Sequence, residues 1–146
     1  MSIIKFESEH IKAGIIAGLV AGVIFGAMMG MIGMLPMIAK LLGGSSAIFG
    51  FVLHLVFSVI IGFIFSIFLG HAAVDKARGI ILGLVYGVIW WFLGPLIIMP
   101  VWLGMGVQLS ATGIQMALPS LWGHLVYGFI LGLIYPIIAN SKKINA

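Results

Sequence analysis

Cysteine is absent from this chain, and of its 146 residues only three are acidic and seven are Lys or Arg. Without cysteine there is no disulfide, no thiol nucleophile and no thiolate metal site. The three acids, Glu7, Glu9 and Asp75, stand outside the long apolar stretches, so those stretches hold no carboxylate for acid–base chemistry or ion coupling. A His-Glu-x-x-His pattern, a phosphate-binding glycine loop and a nucleophile-and-base pair are missing as well. The basic residues are scattered singly or in pairs and make no patch for nucleic acid. These absences point away from an enzyme and from a nucleic-acid partner.

What the chain has in abundance is apolar. It is 63% hydrophobic with 21 glycines, and its mean hydropathy is +1.33, far outside the range of water-soluble domains. Four stretches, residues 13–35, 47–69, 79–99 and 118–139, are long enough to span about 30 Å of hydrocarbon. The expectation is one all-α domain over 1–146, a four-helix transmembrane bundle in a lipid bilayer. The first stretch is too long for a signal-peptide core and is read as retained. Lys5, Lys12, Lys76, Arg78, Lys142 and Lys143 fall on one side of such a bundle and Lys40 alone on the other. The positive-inside rule then puts both termini and the turn 71–78 in the cytoplasm. The outer loops are 36–46 and 100–117, the second uncharged and expected to lie in the interface or dip into the bilayer.

Gly14, Gly18, Gly22, Gly26 and Gly30 stand at an unbroken spacing of four. Each interior glycine costs a soluble helix about 1 kcal/mol relative to alanine. In a bilayer such a glycine zipper lets a second backbone approach closely, where apolar burial no longer drives association. Helix packing accounts for the strip, and lining or abutting an oligomeric pore is the alternative. Gly79, Gly83 and Gly87 repeat it.

That recurrence belongs to an internal duplication. AGIIAGLVAGVIFG at 13–26 and RGIILGLVYGVIWW at 78–91 share nine of fourteen positions, at an offset of 65. HLVFSVIIGFIFS at 54–66 and HLVYGFILGLIYP at 124–136 share six of thirteen, at an offset of 70. Each unit is a two-helix hairpin, repeat one over about 13–70 and repeat two over about 78–139. Two spans return the chain to its starting side, so the copies are expected to run parallel about a pseudo-twofold axis along the membrane normal.

His54 and His124 then enter the membrane from one side at similar depth, about 10 Å and 8 Å below their helix starts. Imidazoles so placed can serve as haem axial ligands, as part of a metal site, in gating or proton handling, or as glue between helices. Trp90 and Trp91 replace Phe25 and Gly26 of the first copy, and either wall a ligand pocket, face lipid or fill the gap opposite the small first helix. Methionines crowd the outer side, and Met34, Met37, Met99 and Met105 with the two histidines make a weak copper hypothesis. Pro95 and Pro136 are expected to kink their helices.

The repeat, the outer Met/Pro segments and the run GHLVYGFILGLIYP together resemble a group of small four-span prokaryotic membrane proteins built from a duplicated His-bearing hairpin. The resemblance implies the topology, and no activity or site residue comes with it. The functional expectation is a non-catalytic accessory or scaffolding subunit that packs as a homo-oligomer or in a larger membrane complex. It carries no obligatory cofactor, or holds a ligand between His54 and His124. The alternatives are a haem b- or copper-binding protein and a small channel or facilitator.

The six-to-one basic bias makes the orientation testable. A cytoplasmic reporter fused after Ala146 or within residues 74–77 is expected to be active, and one inserted at Gly43 inactive. Activity at Gly43 would reverse the topology.

Overall fold

A computed structural model describes the backbone of residues 2–141 and the side chains of residues 8–141. The side chains of Lys5 and Glu7, and Lys142 and Lys143, lie outside the described residues. All regular structure among those described is helical: α1 (Ser2–Met31), α2 (Leu35–Ala39), α3 (Ala47–Phe68), α4 (Lys76–Leu93), α5 (Met99–Trp102) and α6 (Ala111–Ala139). A 3₁₀ turn, Lys40–Leu42, follows α2, and a π-helical segment, Gly94–Ile98, joins α4 to α5. Among the described residues, four segments are long and apolar enough to cross a membrane: Ser8–Met31, Ala47–Phe68, Lys76–Trp102 and Ala111–Ala139.

Three of the long helices start on side-chain caps, which satisfy amide groups that have no partner within the helix. Ser46 Oγ accepts from Phe49 N at 3.0 Å, Asp75 Oδ1 from Arg78 N at 2.9 Å, and Ser110 Oγ from Gly113 N at 3.1 Å. The last cap sets the fourth span seven residues earlier than hydropathy places it. The loop expected over 100–117 is therefore largely helical, and only the stretch between α5 and α6 is irregular. There Gln108 N reaches back to Leu96 O at 2.7 Å. The expected loop over 36–46 likewise contains α2. Pro36 opens that helix, a position where its missing N–H costs nothing. Leu35, Ile38 and Ala39 are buried, and α2 folds back on α3.

Proline acts differently in the two places where a kink is expected. At Pro95 the missing N–H and the ring's clash with the preceding turn coincide with the π segment. Around Pro136 the helix assignment is continuous, as it is at Pro119, and α6 spans both.

Helix α1 packs on α3 along one row and on α6 along another, and α4 packs on α6. The backbones of α3 and α4 do not pack closely on each other. Gly14, Gly18, Gly22 and Gly26 make the first row and are buried against α3. Gly30 falls off it and is exposed, near the end of the helix. Ala13, Ala17, Ala21, Phe25 and Met29 make the second row, all buried, with Phe25 seated on Gly123 of α6.

Gly22 and Gly26 meet side chains of Ser58, Phe51 and His54, whereas Gly14 and Gly18 on α1 and Gly79, Gly83 and Gly87 on α4 stand nearest to backbone. A Cβ added at Gly83 would stand 2.1 Å from Gly128 O, and one at Gly128 would stand 2.1 Å from Gly83 O. Gly79 and Gly132 face each other in the same reciprocal way, at 2.2 and 2.0 Å, as do Gly14 and Gly62, at 2.4 and 2.2 Å. Gly87 sits over His124 O, and Gly18 over Ser58 O.

These distances predict a graded response to alanine. Gly83→Ala drives a methyl into a carbonyl held by two rigid helices and should cost about 1–3 kcal/mol. Gly30→Ala meets only Leu35 Cδ1, at 3.4 Å, and should leave stability unchanged within about 0.5 kcal/mol. Unfolding of the two variants by denaturing detergent measures the difference. Equal stability of the two would remove the close-packing account.

Candidate functional site

Rows of small residues at a spacing of four also run along the partner helices. On α3 the row is Gly50, His54, Ser58, Gly62 and Ser66, and on α6 it is Ser120, His124, Gly128, Gly132 and Pro136. His54 and His124 are thus the bulky members of rows that face α1 and α4. This spacing was present in the sequence and would have assigned each histidine to the interior of its own hairpin.

His54 is 8% exposed, and its Nε2 lies 3.1 Å from Gly22 O on α1. A carbonyl only accepts, so Nε2 carries the proton and Nδ1 the lone pair. Ser58 Oγ stands 3.4 Å from the same nitrogen and donates to His54 O at 2.8 Å. His124 does not repeat this arrangement. Its Nδ1 turns back along its own helix to Ser120 O at 2.8 Å, which leaves the lone pair on Nε2. The residue matching Ser58 is Gly128, so the second site lacks that hydroxyl. Nδ1 of His54 and Nε2 of His124 have no hydrogen-bond partner among the described residues.

The two imidazoles do not bond to each other. The ring they share is Phe25, which meets His54 edge-on at 5.1 Å between centroids and His124 at 4.9 Å.

The other sequence candidates are dispersed. Trp91 Nε1 donates to Ala117 O at 2.9 Å, a bond from α4 to α6. Trp90 packs its edge against Tyr86, and both tryptophans are half-buried. Met34 and Met99 pack against the core, whereas Met37 and Met105 are 48% and 64% exposed. Among the described residues no three His, Asp or Glu side chains converge as metal ligands. Two cavities, of about 300 and 220 Å³, are lined by neither the His54–His124 region nor the tryptophans. They are described by Ala72, Arg78, Ile81 and Leu82, and by His10, Ile11, Ser66, Ile67 and His71.

Sequence reasoning passed over the tyrosines. The chain has three, all in the second hairpin. Tyr86 donates to Ile61 O at 2.7 Å, Tyr127 donates to Ser58 O at 2.6 Å, and Tyr135 bonds His10. Every tyrosine hydroxyl therefore reaches the first hairpin. The signal was present, since Tyr127 and Tyr135 match Phe57 and Phe65, and Tyr86 matches Ala21.

No protein-family model, curated relative or solved structure matches this chain.

Because His54 and His124 bond to different carbonyls, their removal should act nearly independently. A double-mutant cycle of His54→Ala and His124→Ala in detergent unfolding is expected to show coupling of no more than about 1 kcal/mol, carried by the shared Phe25 ring. Coupling well beyond that would mean that one ligand or one water cluster holds both rings.

Proposed function

We propose that this chain is a non-catalytic membrane subunit whose role is to pack, with copies of itself or within a larger membrane assembly. The observation that supports this most is where the polar groups inside the spans go. The His54 ring, the hydroxyls of Tyr86 and Tyr127 and the Trp91 indole each bond a backbone carbonyl of another helix. Those bonds hold helices together and do not line a route across the bilayer. The span with least cover is Lys76–Trp102, 22% buried in the single chain, so its face of Ile81, Val85, Val88 and Phe92 is open to lipid or to another protein. In this reading the end bearing Lys12, Lys76 and Arg78 faces the cytoplasm of a prokaryotic cell, and the end bearing Lys40 faces outward. The likeness of the two hairpins' glycine contacts supports their origin by duplication.

A second reading rests on the two ring nitrogens left with lone pairs, His54 Nδ1 and His124 Nε2. Both suit haem iron or copper.

Native mass spectrometry from lipid nanodiscs, paired with solute-flux assays in vesicles, tests the first reading. A defined homo-oligomer or stoichiometric complex with no flux is expected. A monomer that conducts a solute would overturn it in favour of a channel. The absorption spectrum and metal content of the same preparation test the second reading, and a Soret band, or bound copper that is lost in a His54→Ala/His124→Ala variant, would replace the first.

A further inference from the structure

The second cavity lies at the opposite end of the bundle from His54 and His124. It opens between the start of α1, the last turn of α3 and the turn that leads to α4. The geometry points to a site here for a borderline divalent transition-metal ion of the Zn²⁺ or Cu²⁺ class, held by His10 and His71.

The imidazoles of His10 and His71 face each other at 5.5 Å between centroids with a 34° tilt. They come from positions 61 residues apart and from different elements, so the fold, not local sequence, brings them together. A centroid separation of 5.5 Å is close to what two imidazoles sharing one ion at about 2.0–2.1 Å require, and His71 stands on an exposed turn. His10 is oriented for this by a second bond, between its Nδ1 and the Tyr135 hydroxyl. An ion on Nε2 selects the tautomer in which Nδ1–H donates to that oxygen, the outer-shell arrangement that most metal-bound histidines use. The adjoining space of about 220 Å³ is walled by Ile11, Ser66 and Ile67, with room for the water ligands that complete the coordination. Two imidazoles plus water describe an exchangeable site, because closed structural zinc sites take four protein ligands. Occupancy would tie the start of the first span to the turn joining the hairpins, independently of whatever the bundle packs against.

The test is titration calorimetry of the full chain in detergent with Zn²⁺ alone, beside His71→Ala, His10→Ala/His71→Ala, Tyr135→Phe and His54→Ala/His124→Ala variants. One ion per chain is expected. His71→Ala should weaken binding at least about tenfold, and the His10/His71 double variant should abolish it. Tyr135→Phe, which removes the outer-shell acceptor, should weaken it about tenfold. Protons compete with the ion for imidazole nitrogen, so affinity should fall as the solution is made more acidic. Cu²⁺ loaded at the same site should show hyperfine coupling to two nitrogens, reduced to one by His71→Ala. Should the His10 substitution prevent folding, the exposed His71→Ala decides alone. Absence of saturable binding would overturn the site. So would binding that survives His71→Ala unchanged, or binding lost only in the His54/His124 variant.

Discussion

In each hairpin the hydrogen of a glycine, standing where a side chain would begin, points at a carbonyl of the facing helix. Gly14 with Gly62, Gly79 with Gly132 and Gly83 with Gly128 do so reciprocally. In lipid there is no water to expel, so the attraction comes from dispersion at close range and from Cα–H···O contacts. Both fall off steeply with distance, and a single methyl would forfeit much of each. The rest of the bundle follows from this approach. It sets how near α1 lies to α3 and α4 to α6, and so which side chains can share the remaining space. It also explains why the partner rows carry Ser58 and Ser66, or Gly128 and Gly132, where a leucine would hold the backbones apart.

The two hairpins are alike inside and unlike where they meet. On α1 the row beside the glycines is Ala13, Ala17, Ala21 and Phe25, and the matching row on α4 is Arg78, Leu82, Tyr86 and Trp90. The alanines let α6 come close to α1. The larger side chains on α4 keep its backbone from α3, and the interval is filled by rings: Phe65 meets Tyr86 at 5.2 Å and Tyr135 at 5.3 Å. Small residues thus decide one side on which the hairpins meet and aromatic residues the other. A strict twofold would demand equal contacts on both, and the two hairpins differ in the row that governs them.

Much of the architecture was legible because it depends on long apolar runs and on a four-residue period, which survive in any sequence. Details governed by single polar atoms were not. Loop 36–46 hid a helix because Pro36 reads equally as the end of one helix and the start of the next. The early start of α6 was written in Ser110, a good cap, but an uncharged Gly-rich approach masked it. Depth put His54 and His124 level, whereas rotamer choice sends one ring to Gly22 O on another helix and the other back to Ser120 O. That choice turns on neighbours such as Ser58 against Gly128, which no periodicity reports. Gly30 continued the glycine period in sequence but lies next to the end of α1, where the partner backbone has moved away.

The tyrosines make the same point from the other side. Replacing Phe57 and Phe65 by Tyr127 and Tyr135 in the second copy changes neither hydropathy pattern nor volume much, so the sequence comparison treats them as equivalent. Within a bilayer the added hydroxyl must find an acceptor, because an unsatisfied polar group there costs several kcal/mol. Helical carbonyls are already bonded along their own helix but keep a second lone pair. Ser58 O and Ile61 O supply it, on α3, whose backbone neither α4 nor α6 approaches closely. The hydroxyls therefore fix the second hairpin against the first at the place where backbone packing gives least. Differences between the two similar hairpins, small at each position, are what make them one specific bundle.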